Sequence, residues 1–317
     1  MRDEEFHERK WGSQTIPLVD SSLTVPGVYR ICGVKLHAVQ VEDLLAIVRR
    51  WMEDERTFHY VSSTNVNNVA IALESESYFD VMENADLSIP DGVPFLWYAR
   101  WKGFPLRKRC GIEEFMEAVF ELSNHGFTYT HYFYGNTPRV LANMKARLLE
   151  RYPNLKIVGM YSPPFRPLSP EEDEEDIRMI NDSGADFLWV SLGCPKQEKW
   201  LYDHRNALTA VVGGGAGAVF NFLSGDTFKA PNWVRYMGLE WVLRLSMEPK
   251  RLFSRYCIKY PIFVFRFIKY SLGMKGTKQS TPASLYYAQA VTPTEDAAEP
   301  WISRISLDHS SGNPDAR

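Results

Sequence analysis

Hydrophobic positions along the chain alternate between two periods. Residues 41–54 (VEDLLAIVRRWMED) carry apolar side chains three or four positions apart, which predicts an amphipathic helix. Residues 58–63 (FHYVSS) form a short run with aromatic and β-branched side chains, which predicts a strand. The alternation continues to residue 213, and strands separated by helices of this length indicate βαβ units. The pattern therefore predicts an α/β fold with a mostly parallel sheet.

The remaining segments of this region extend the same series. Further helices are predicted after Gly92 through Trp101 and over residues 65–75, 111–126, 138–151, 171–182 and 196–207. Further strands are predicted over residues 87–89, 130–135, 155–160, 186–193 and 209–213. No element is predicted before Val41.

The character of the chain changes after Pro231. Residues 232–275 are helical in pattern, aromatic and basic, and the apolar stretch 260–272 is shorter than the ~20 residues of a membrane-spanning helix. The residues beyond 276 are rich in Ser, Thr, Ala and Pro, which is typical of disorder. We expect four regions: a flexible leader at 1–25, an α/β core at 26–231, a helical basic appendage at 232–275 and a disordered tail at 276–317.

Composition and charge narrow the class of protein. The 317 residues are 45% hydrophobic and 24% charged, which excludes a collagen-like, wholly disordered or coiled-coil chain. A formal net charge of -3 argues against nucleic acid as a partner. The four cysteines form no C-x-x-C pair, and the first ten residues lack the apolar core of a signal peptide. We therefore expect a protein of the reducing cytoplasm.

Four polar, turn-forming loops follow predicted strands. In an open parallel sheet, ligands bind beyond the carboxyl ends of the strands, so a site is expected at these loops. They are residues 62–65 (SSTN), 90–92 (PDG), 134–136 (YGN) and 193–198 (GCPKQE). Their common position at one edge is the first indication of function.

Hydroxyl, carboxylate and guanidinium groups supply the candidate chemistry of the first loops. Ser63 and Thr64 either cap the helix that begins near Asn65 or donate hydrogen bonds to a ligand. Asp91 either stabilises a turn or accepts a proton from a substrate hydroxyl. Arg109, in the run RKRCG, either belongs to a surface basic cluster or pairs with a phosphate.

The segment 191–200 (SLGCPKQEKW) is unusually polar for a loop between a strand and a helix. Lys196, Gln197 and Glu198 share the first turn of the helix, and a purely structural loop does not need that set. Cys194 with His204 allows a Cys/His nucleophile interpretation, but cysteine is more often a small buried residue.

A glycine-rich segment, 211–225 (VVGGGAGAVFNFLSG), satisfies a loose dinucleotide fingerprint through Gly213, Gly215 and Ala218. No acid follows at about twenty residues to hold a ribose. Close packing or approach to a phosphate is therefore favoured over an NAD(P) site. An NAD(P)-dependent oxidoreductase and a non-catalytic peripheral membrane module stay as alternative functions.

Three arginines stand at helical spacing near the C-terminus. Arg244, Arg251 and Arg255 are seven and four residues apart, so one helix would place them on one face, suited to a diphosphate near a membrane. Pro249 can kink that helix and spoil the alignment. No D-x-D triplet is present, so a metal-clamped nucleotide-sugar site is unsupported, and we expect no metal and no cofactor.

Eight motifs occur in a fixed order along the chain: STN (63–65), ADLSIPDG (85–92), RCG (109–111), YFYGN (132–136), LGCPKQEKW (192–200), a Gly-rich stretch with FNFLSG (213–225), AP-W (230–233) and GLEWVLRL-EPKRL (238–252). Together they resemble the WecG/TagA/CpsF family of bacterial glycosyltransferases, family 26, over residues 30–256. The order and spacing of the motifs carry the resemblance more than any single one.

The resemblance implies a fold and a reaction. The fold is a Rossmann-like sheet with helices on both faces and a C-terminal helical appendage that faces the membrane. The reaction transfers a sugar, with inversion and without a bound metal, from a UDP-sugar to a polyprenyl-diphosphate-linked sugar. It takes place at the inner face of the plasma membrane and serves cell-surface or extracellular polysaccharide.

The resemblance also implies roles for individual residues. Asp91 matches the proposed catalytic base and Asn65 an active-site asparagine. Asn221 stands where the family often has an aspartate, so we assign it no acid role. Substrate binding is implied for Ser63, Thr64, Arg109, Gly135, Asn136, Gln197, Glu198, Arg244, Arg251 and Arg255.

Several points stay open at this level. The sugar is N-acetylmannosamine, its uronic acid or glucose, since one or two pocket contacts can decide between them. The identity of the lipid-linked acceptor and the choice between a monomer and a homo-oligomer are also open. The expected partners are a UDP-sugar donor, a polyprenyl-diphosphate-linked acceptor and a membrane surface that contacts the basic helices.

Overall fold

Six parallel strands form the main sheet of the part of the chain that the structure describes, which confirms the predicted α/β fold. The computed structural model describes residues 26–272 except 229, 232, 233, 235, 236 and 248, without the side chains of residues 240, 251, 254 and 255. The predicted leader, the predicted tail and the end of the predicted appendage lie outside the described residues. The boundaries of the four regions therefore stay predictions.

The strands are short and mostly buried. In chain order they are β1 (Val28–Ile31), β2 (Val34–His37), β3 (His59–Thr64), β4 (Leu87–Pro90), β5 (Thr130–Gly135), β6 (Lys156–Tyr161), β7 (Phe187–Ser191) and β8 (Val212–Gly215). The first two pair as an antiparallel hairpin, and the other six form a parallel sheet in the order β4-β3-β8-β7-β5-β6. All six parallel strands therefore end at the same edge.

Helices follow the strands and cover both faces of this sheet. In chain order they are α1 (Val41–Arg50), α2 (Val66–Ala72), α3 (Glu76–Glu83), α4 (Val93–Trp101), α5 (Ile112–Asn124), α6 (Pro138–Arg151), α7 (Pro170–Asp182), α8 (Lys196–Asp203), α9 (Val219–Leu223), α10 (Glu240–Met247), α11 (Pro249–Phe253) and α12 (Tyr260–Ser271). Single π-helical turns extend α1 over Trp51–Glu55 and join α11 to α12 over Ser254–Lys259.

Successive side chains of each strand point to opposite faces of the sheet, and they contribute to a separate hydrophobic core on each face. Tyr132 and Tyr134 of β5 pack on one face with residues of α2, α3, α4 and α8. Phe133 of the same strand packs on the other face with Trp189 of β7 and residues of α1, α5, α6 and α9. Full burial of one such aromatic side chain contributes about 1.5–3 kcal/mol to folding. The two cores fix the sheet and so fix the loops at its edge.

Three consecutive glycines make β8 a strand almost without side chains. A β-carbon at Gly213 would collide with the ring of Phe58, and one at Gly214 would lie 3.1 Å from the ring of Trp189. The glycines therefore allow close packing in the centre of the sheet. The helix that follows, α9, has only five residues. A short helix is consistent with glycines that serve close packing and does not match the longer helix that follows a dinucleotide-binding fingerprint.

Four short elements are absent from the sequence prediction: β1, β2, α3 and α9. The β1–β2 hairpin turns at Cys32 and Gly33, both with positive φ, and its four-residue strands are too short to show a clear period. Helix α3 begins after a separate cap at Ser75 and was not expected before the strand at residue 87. Hairpin and helix pack on one face of the sheet together with α4.

The predicted strand at 209–213 begins later than expected, at Val212. Thr209 is not part of the ladder, because its N–H donates to Asn181 Oδ1 at 2.9 Å and ties it to the end of α7. The helix predicted over 196–207 likewise ends at Asp203, and His204 follows as its cap. Local side-chain hydrogen bonds explain both differences.

The C-terminal helices pack against α4. The ring centroids of Phe263 and Phe95 are 6.4 Å apart, and those of Phe267 and Tyr98 are 5.0 Å apart. Helix α10 is described to Met247 and α11 from Pro249, and the π-helical turn follows over Ser254–Lys259. Within the described residues, no helix is long and apolar enough to cross a membrane.

Candidate active site

The carboxyl edge of the parallel sheet brings the predicted loops together. Asp91 follows β4, Asn65 follows β3, and the segment 193–198 follows β7. Strand β8 lies between β3 and β7, and neighbouring strands are about 4.8 Å apart. The loops after these four strands therefore border one continuous stretch of the edge, and Gly135 at the end of β5 and Asn136 after it lie beside that stretch.

Asp91 is held at the end of β4 by its backbone and by two side chains. Its N–H donates to the carbonyl oxygen of Thr64 at 2.9 Å, which continues the pairing of β3 with β4. Ser63 Oγ donates to Asp91 Oδ2 at 3.3 Å, and Arg109 Nη1 lies 3.8 Å from Oδ1. The side chain keeps 27% of its surface exposed, so a substrate hydroxyl can reach it.

Arg109 connects Asp91 to the start of α5. Its Nη2 donates to Glu114 Oε1 at 2.7 Å, and Glu114 Oε2 accepts the N–H of Gly111 at 3.1 Å. A β-carbon at Gly111 would lie 2.8 Å from Asp91 Oδ1, so only a glycine lets the loop pass this close to the carboxylate. The arrangement is a guanidinium between two carboxylates, and 17% of the arginine side chain is exposed.

Asn65 caps α2, the position for which Ser63 and Thr64 were the sequence candidates. Its Oδ1 accepts the N–H groups of Asn67 at 2.9 Å and of Asn68 at 3.3 Å. Thr64 is fully buried, and the Ser63 hydroxyl is directed at the carboxylate after β4. The capping interpretation therefore moves to Asn65, whose side chain is oriented by the helix that it begins.

Gln197 and Glu198 lie beneath the edge, in the first turn of α8. Gln197 Nε2 donates to Glu198 Oε1 at 2.9 Å, and Asn68 Nδ2 lies 3.5 Å from the same oxygen. Glu198 is only 2% exposed. Among the described residues, Gln197 Oε1 and Glu198 Oε2 have no hydrogen-bond partner. A buried unpaired acceptor is costly, so Gln197 Oε1 is suited to a donor group on a bound ligand.

Burial dominates the electrostatics of this cluster. It raises the pKa of Glu198 above its usual range, against the hydrogen bonds that Gln197 and Asn68 donate. Burial also raises the pKa of Tyr78, whose hydroxyl accepts from Asn68 Nδ2 at 2.8 Å. Hydrogen bonds between uncharged side chains thus surround one buried carboxyl group.

Gly135 and Asn136 make a tight turn at the end of β5. A β-carbon at Gly135 would lie 2.5 Å from the carbonyl oxygen of Ser191, and the residue has φ +107°. Asn136 Nδ2 lies within 3.3 Å of Ser191 Oγ and donates to Asn221 Oδ1 at 3.2 Å. Both predicted residues therefore join β5 to β7 and α9, and a direct contact with substrate stays a prediction.

The three appendage arginines are only partly described. The guanidinium carbon of Arg244 lies 5.0 Å from the ring centroid of Phe222, which places it next to α9. The side chains of Arg251 and Arg255 lie outside the described residues. Arg244 lies on α10 and Arg251 on α11, and their common face stays a prediction.

The Cys/His nucleophile interpretation does not fit the geometry. Both ring nitrogens of His204 are engaged, Nδ1 with the carbonyl oxygen of Trp200 and Nε2 with Asp173 Oδ2, each at 2.8 Å. Cys194 Sγ instead accepts from Asn67 Nδ2 at 3.4 Å. Across the described ranges, no three His, Cys, Asp or Glu side chains are grouped in a way that could hold a metal ion.

Three residues of the site were missed in the sequence. Glu114 had a readable signal, since a glutamate three residues after the residue that precedes a helix commonly accepts that residue's N–H, as Glu114 does from Gly111. Asn68 and Tyr78 had none, because their importance arises from α2 and α3 packing beside α8.

This geometry suits proton transfer to a carboxylate at a site that can also bind an anionic group of a ligand. Asp91 can accept a proton from a hydroxyl that approaches the open side of the carboxylate. Arg109 offers fixed N–H donors nearby. The buried cluster around Glu198 fixes the shape of the site beneath this edge and the orientation of Gln197.

Comparisons with known proteins identify relatives of this chain. A family model described as "Glycosyl transferase WecG/TagA/CpsF family" matches residues 29–277. The chain is 27% identical over 199 residues to the N-acetylglucosaminyldiphosphoundecaprenol N-acetyl-beta-D-mannosaminyltransferase of Bacillus subtilis (strain 168), which covers 62% of this chain and 75% of that protein. It is 24% identical over 251 residues to the protein of the same name from Staphylococcus aureus (strain MW2), covering 78% and 95%. The family match includes every loop of the site and the C-terminal helices.

Proposed function

The chain belongs to the WecG/TagA/CpsF family and is a glycosyltransferase, and from this premise we propose that it transfers N-acetylmannosamine from UDP-N-acetylmannosamine to N-acetylglucosaminyl-diphosphoundecaprenol. The similar proteins from the two bacteria are named for this sugar and this acceptor. The observation that carries the proposal is the position of Asp91 at the carboxyl edge, between the Ser63 hydroxyl and the Arg109 guanidinium.

The proposed reaction is one displacement at the anomeric carbon. The hydroxyl oxygen of the acceptor sugar forms the new bond to that carbon as the bond to the UDP oxygen breaks. Asp91 takes the proton of the hydroxyl, and UDP leaves with the electron pair of the broken bond. Because attack and departure are on opposite sides, the anomeric configuration inverts.

The departing diphosphate requires positive or hydrogen-bonding groups. Arg109 lies at the edge where the donor is expected, and Arg244 approaches from the C-terminal helices. Such preorganised donors stabilise charge as it develops in the transition state. Ser63, Asn65 and Gln197 would orient the donor sugar and the acceptor.

The lipid-linked acceptor extends the proposal to the membrane. The enzyme would contact the inner face of the plasma membrane through its C-terminal helices, whose exposed surface combines apolar side chains with Arg266 and Lys269. An amphipathic surface of this kind binds anionic lipids without crossing the bilayer.

A UDP-release assay tests the reaction directly. It would combine the purified protein with UDP-N-acetylmannosamine, the corresponding uronic acid or UDP-glucose, and a synthetic N-acetylglucosaminyl-diphosphoprenol with a short, water-soluble chain. We expect UDP release with the first donor only, dependent on the acceptor, and a product heavier by one N-acetylmannosamine.

Other outcomes would change the proposal in defined ways. Acceptor-dependent release with a different donor would keep the reaction and replace the sugar. Binding of UDP without release from any donor would favour a site that has lost catalysis, the non-catalytic alternative.

A further inference from the structure

Helix α4 exposes an apolar stripe that the proposed reaction does not use. Trp97 is 58% exposed and Trp101 is 64% exposed, and with the exposed Pro94 they are spaced three and four residues apart on one side of the helix. Proteins in water rarely expose contiguous apolar patches of this kind unless the patch meets a partner. We therefore expect a binding partner to cover the two tryptophans.

The stripe lies beside the exposed face of α12. Trp101 contacts Tyr98 with ring centroids 5.6 Å apart, and Tyr98 contacts Phe267 of α12 at 5.0 Å. The side of α12 that faces away from the body is apolar as well, with Phe265 and Ile268 largely exposed. The two helices thus present neighbouring apolar surfaces, joined by one shared aromatic contact.

The charge carried by these two segments has one sign. Residues 93–110 and 260–271 contain no Asp or Glu, and their seven basic residues are Arg100, Lys102, Arg107, Lys108, Arg109, Arg266 and Lys269. The Lys102 ammonium lies 4.6 Å from the ring centroid of Trp101, so apolar and cationic groups alternate over a few ångströms. Tryptophan favours the boundary between hydrocarbon and headgroups, and basic residues favour anionic lipids.

The same helix begins at the site. Asp91 and Gly92 directly precede α4, and a β-carbon at Gly238, just before α10, would lie 3.6 Å from Val93 Cβ. Nine helical residues span about 13 Å, so the stripe and the carboxylate are connected by one short rigid element. A surface that binds the two tryptophans therefore also fixes the distance of Asp91 from that surface.

We propose that Trp97 and Trp101 form a lipid contact in addition to that of the C-terminal helices, and that α4 thereby sets the distance of Asp91 from the surface of an anionic bilayer. The contact goes beyond the proposed function and does not depend on the reaction. Its effect on turnover rests on the proposed function, because only a lipid-linked acceptor gives that distance a meaning.

Vesicle binding tests the contact itself. Sedimentation of the full chain with phosphatidylglycerol–phosphatidylcholine vesicles would be compared with that of the Trp97→Ser/Trp101→Ser double variant. We expect about 10-fold weaker binding from the double variant, the size of losing two partly inserted rings. Trp97→Tyr/Trp101→Tyr should recover much of the binding, since tyrosine also favours the interface.

A matched control comes from the opposite edge of the sheet. Phe165 follows the edge strand β6 and is fully exposed, so Phe165→Ser removes a similar apolar surface outside the stripe. This variant should bind vesicles like the unchanged protein. Equal binding by the double variant and the unchanged protein would overturn the proposal, as would an equal loss in Phe165→Ser.

Turnover then separates this proposal from the proposed function. With the long-chain acceptor in vesicles, the double variant should show an acceptor KM raised about 10-fold, while its kinetics with the short water-soluble acceptor stay unchanged. Equal loss with both acceptors would indicate damage to the site and overturn the inference. Absence of turnover in the unchanged protein would refute the proposed function, and vesicle binding would still decide the contact.

Two other occupants of the stripe have distinct signatures. A second copy of the chain would appear as a dimer in light scattering that the double variant dissociates, with vesicle binding unchanged. Coverage by the chain's own residues after 272 would appear as a lower melting temperature of the double variant with no loss of vesicle binding. Either result would overturn the lipid contact.

Discussion

The two sides of the site differ in how they use charge. On the side of β3 and β4, Asp91 and Arg109 are charged side chains that water can reach. On the side of β7 and β8, Gln197 and Glu198 are buried and connected by hydrogen bonds to Asn68. We call these the open side and the buried side of the site.

The difference indicates a division of labour. A proton can be exchanged with a substrate only where the substrate can arrive, so the open side is suited to the chemical step. Breaking hydrogen bonds between buried polar groups is costly, so the buried side is suited to holding shape, while Gln197 Oε1 keeps an acceptor for a ligand. Changes on the open side should therefore reduce activity at constant stability, and changes on the buried side should do the reverse.

Asp91→Asn should give the largest effect. The amide keeps the size of the side chain but cannot take the proton, so we expect kcat to fall about 10²- to 10⁴-fold with the melting temperature nearly unchanged. UDP release and thermal unfolding measure the two quantities. Asp80→Asn, on the exposed surface of α3, is the matched control and should be fully active. Full activity of Asp91→Asn would show that another residue is the catalytic base.

Arg109→Lys should follow in size. Lysine keeps the positive charge but cannot hold Glu114 and approach Asp91 with one planar fork, so we expect kcat/KM to fall about 10- to 100-fold. Arg49→Lys, at an exposed ion pair on α1, controls for the substitution itself. A change of less than twofold in Arg109→Lys would show that charge alone suffices there.

Asn68→Ala should reverse the pattern. It removes the donor to Tyr78 and Glu198 and the acceptor for the N–H of Asn65, all in a buried place. We expect unfolding in urea to show a loss of about 1–3 kcal/mol. Activity well below the melting temperature should change less than in the first two variants. Asn84→Ala, at an exposed helix end, should cost less than about 0.5 kcal/mol, and an equal cost in both variants would contradict the buried side as described.

Glu198→Gln should give the smallest effect, and one that depends on pH. Because burial raises the pKa of Glu198, the folded protein keeps a proton that the unfolded chain releases above the usual glutamic acid range. The Glu198 carboxyl therefore lowers the stability of the unchanged protein progressively as pH rises from about 4 toward the raised pKa, and the glutamine variant lacks this contribution. We expect its melting temperature to gain a few degrees relative to the unchanged protein between pH 4 and pH 7. A constant difference across this range would argue against the raised pKa.

The open side was largely readable from the sequence. Asp91 directly follows a buried strand and Ser63 lies near the end of the neighbouring one, and the rule that parallel strands end at one edge brings them together. The order of motifs added the family, which the family model confirms over residues 29–277. The roles of the individual site residues stay predictions.

The buried side was not readable, for a physical reason. Its members come from α2, α3 and α8, three helices that sequence periodicity cannot place next to one another. Glu198 belongs to a polar helix start that was assigned to substrate binding, and its 2% exposure follows from packing that the sequence does not show. The hairpin β1–β2 was missed because four residues per strand carry too little pattern, and the strand at 212 was misplaced because Asn181 holds Thr209 outside the ladder.

The glycines of β8 have a consequence for how the enzyme can change. The space beside them is already occupied by larger neighbours, Phe58, Trp189 and, at Gly215, the amide of Gln197 2.8 Å from a β-carbon. A substitution on this strand is therefore felt as a displacement of another residue and offers no new contact to a sugar. We therefore expect substitutions in β8 to be tolerated poorly, both in evolution and in the laboratory. A library of variants selected for a different sugar donor should place its substitutions in the loops on either side of this strand.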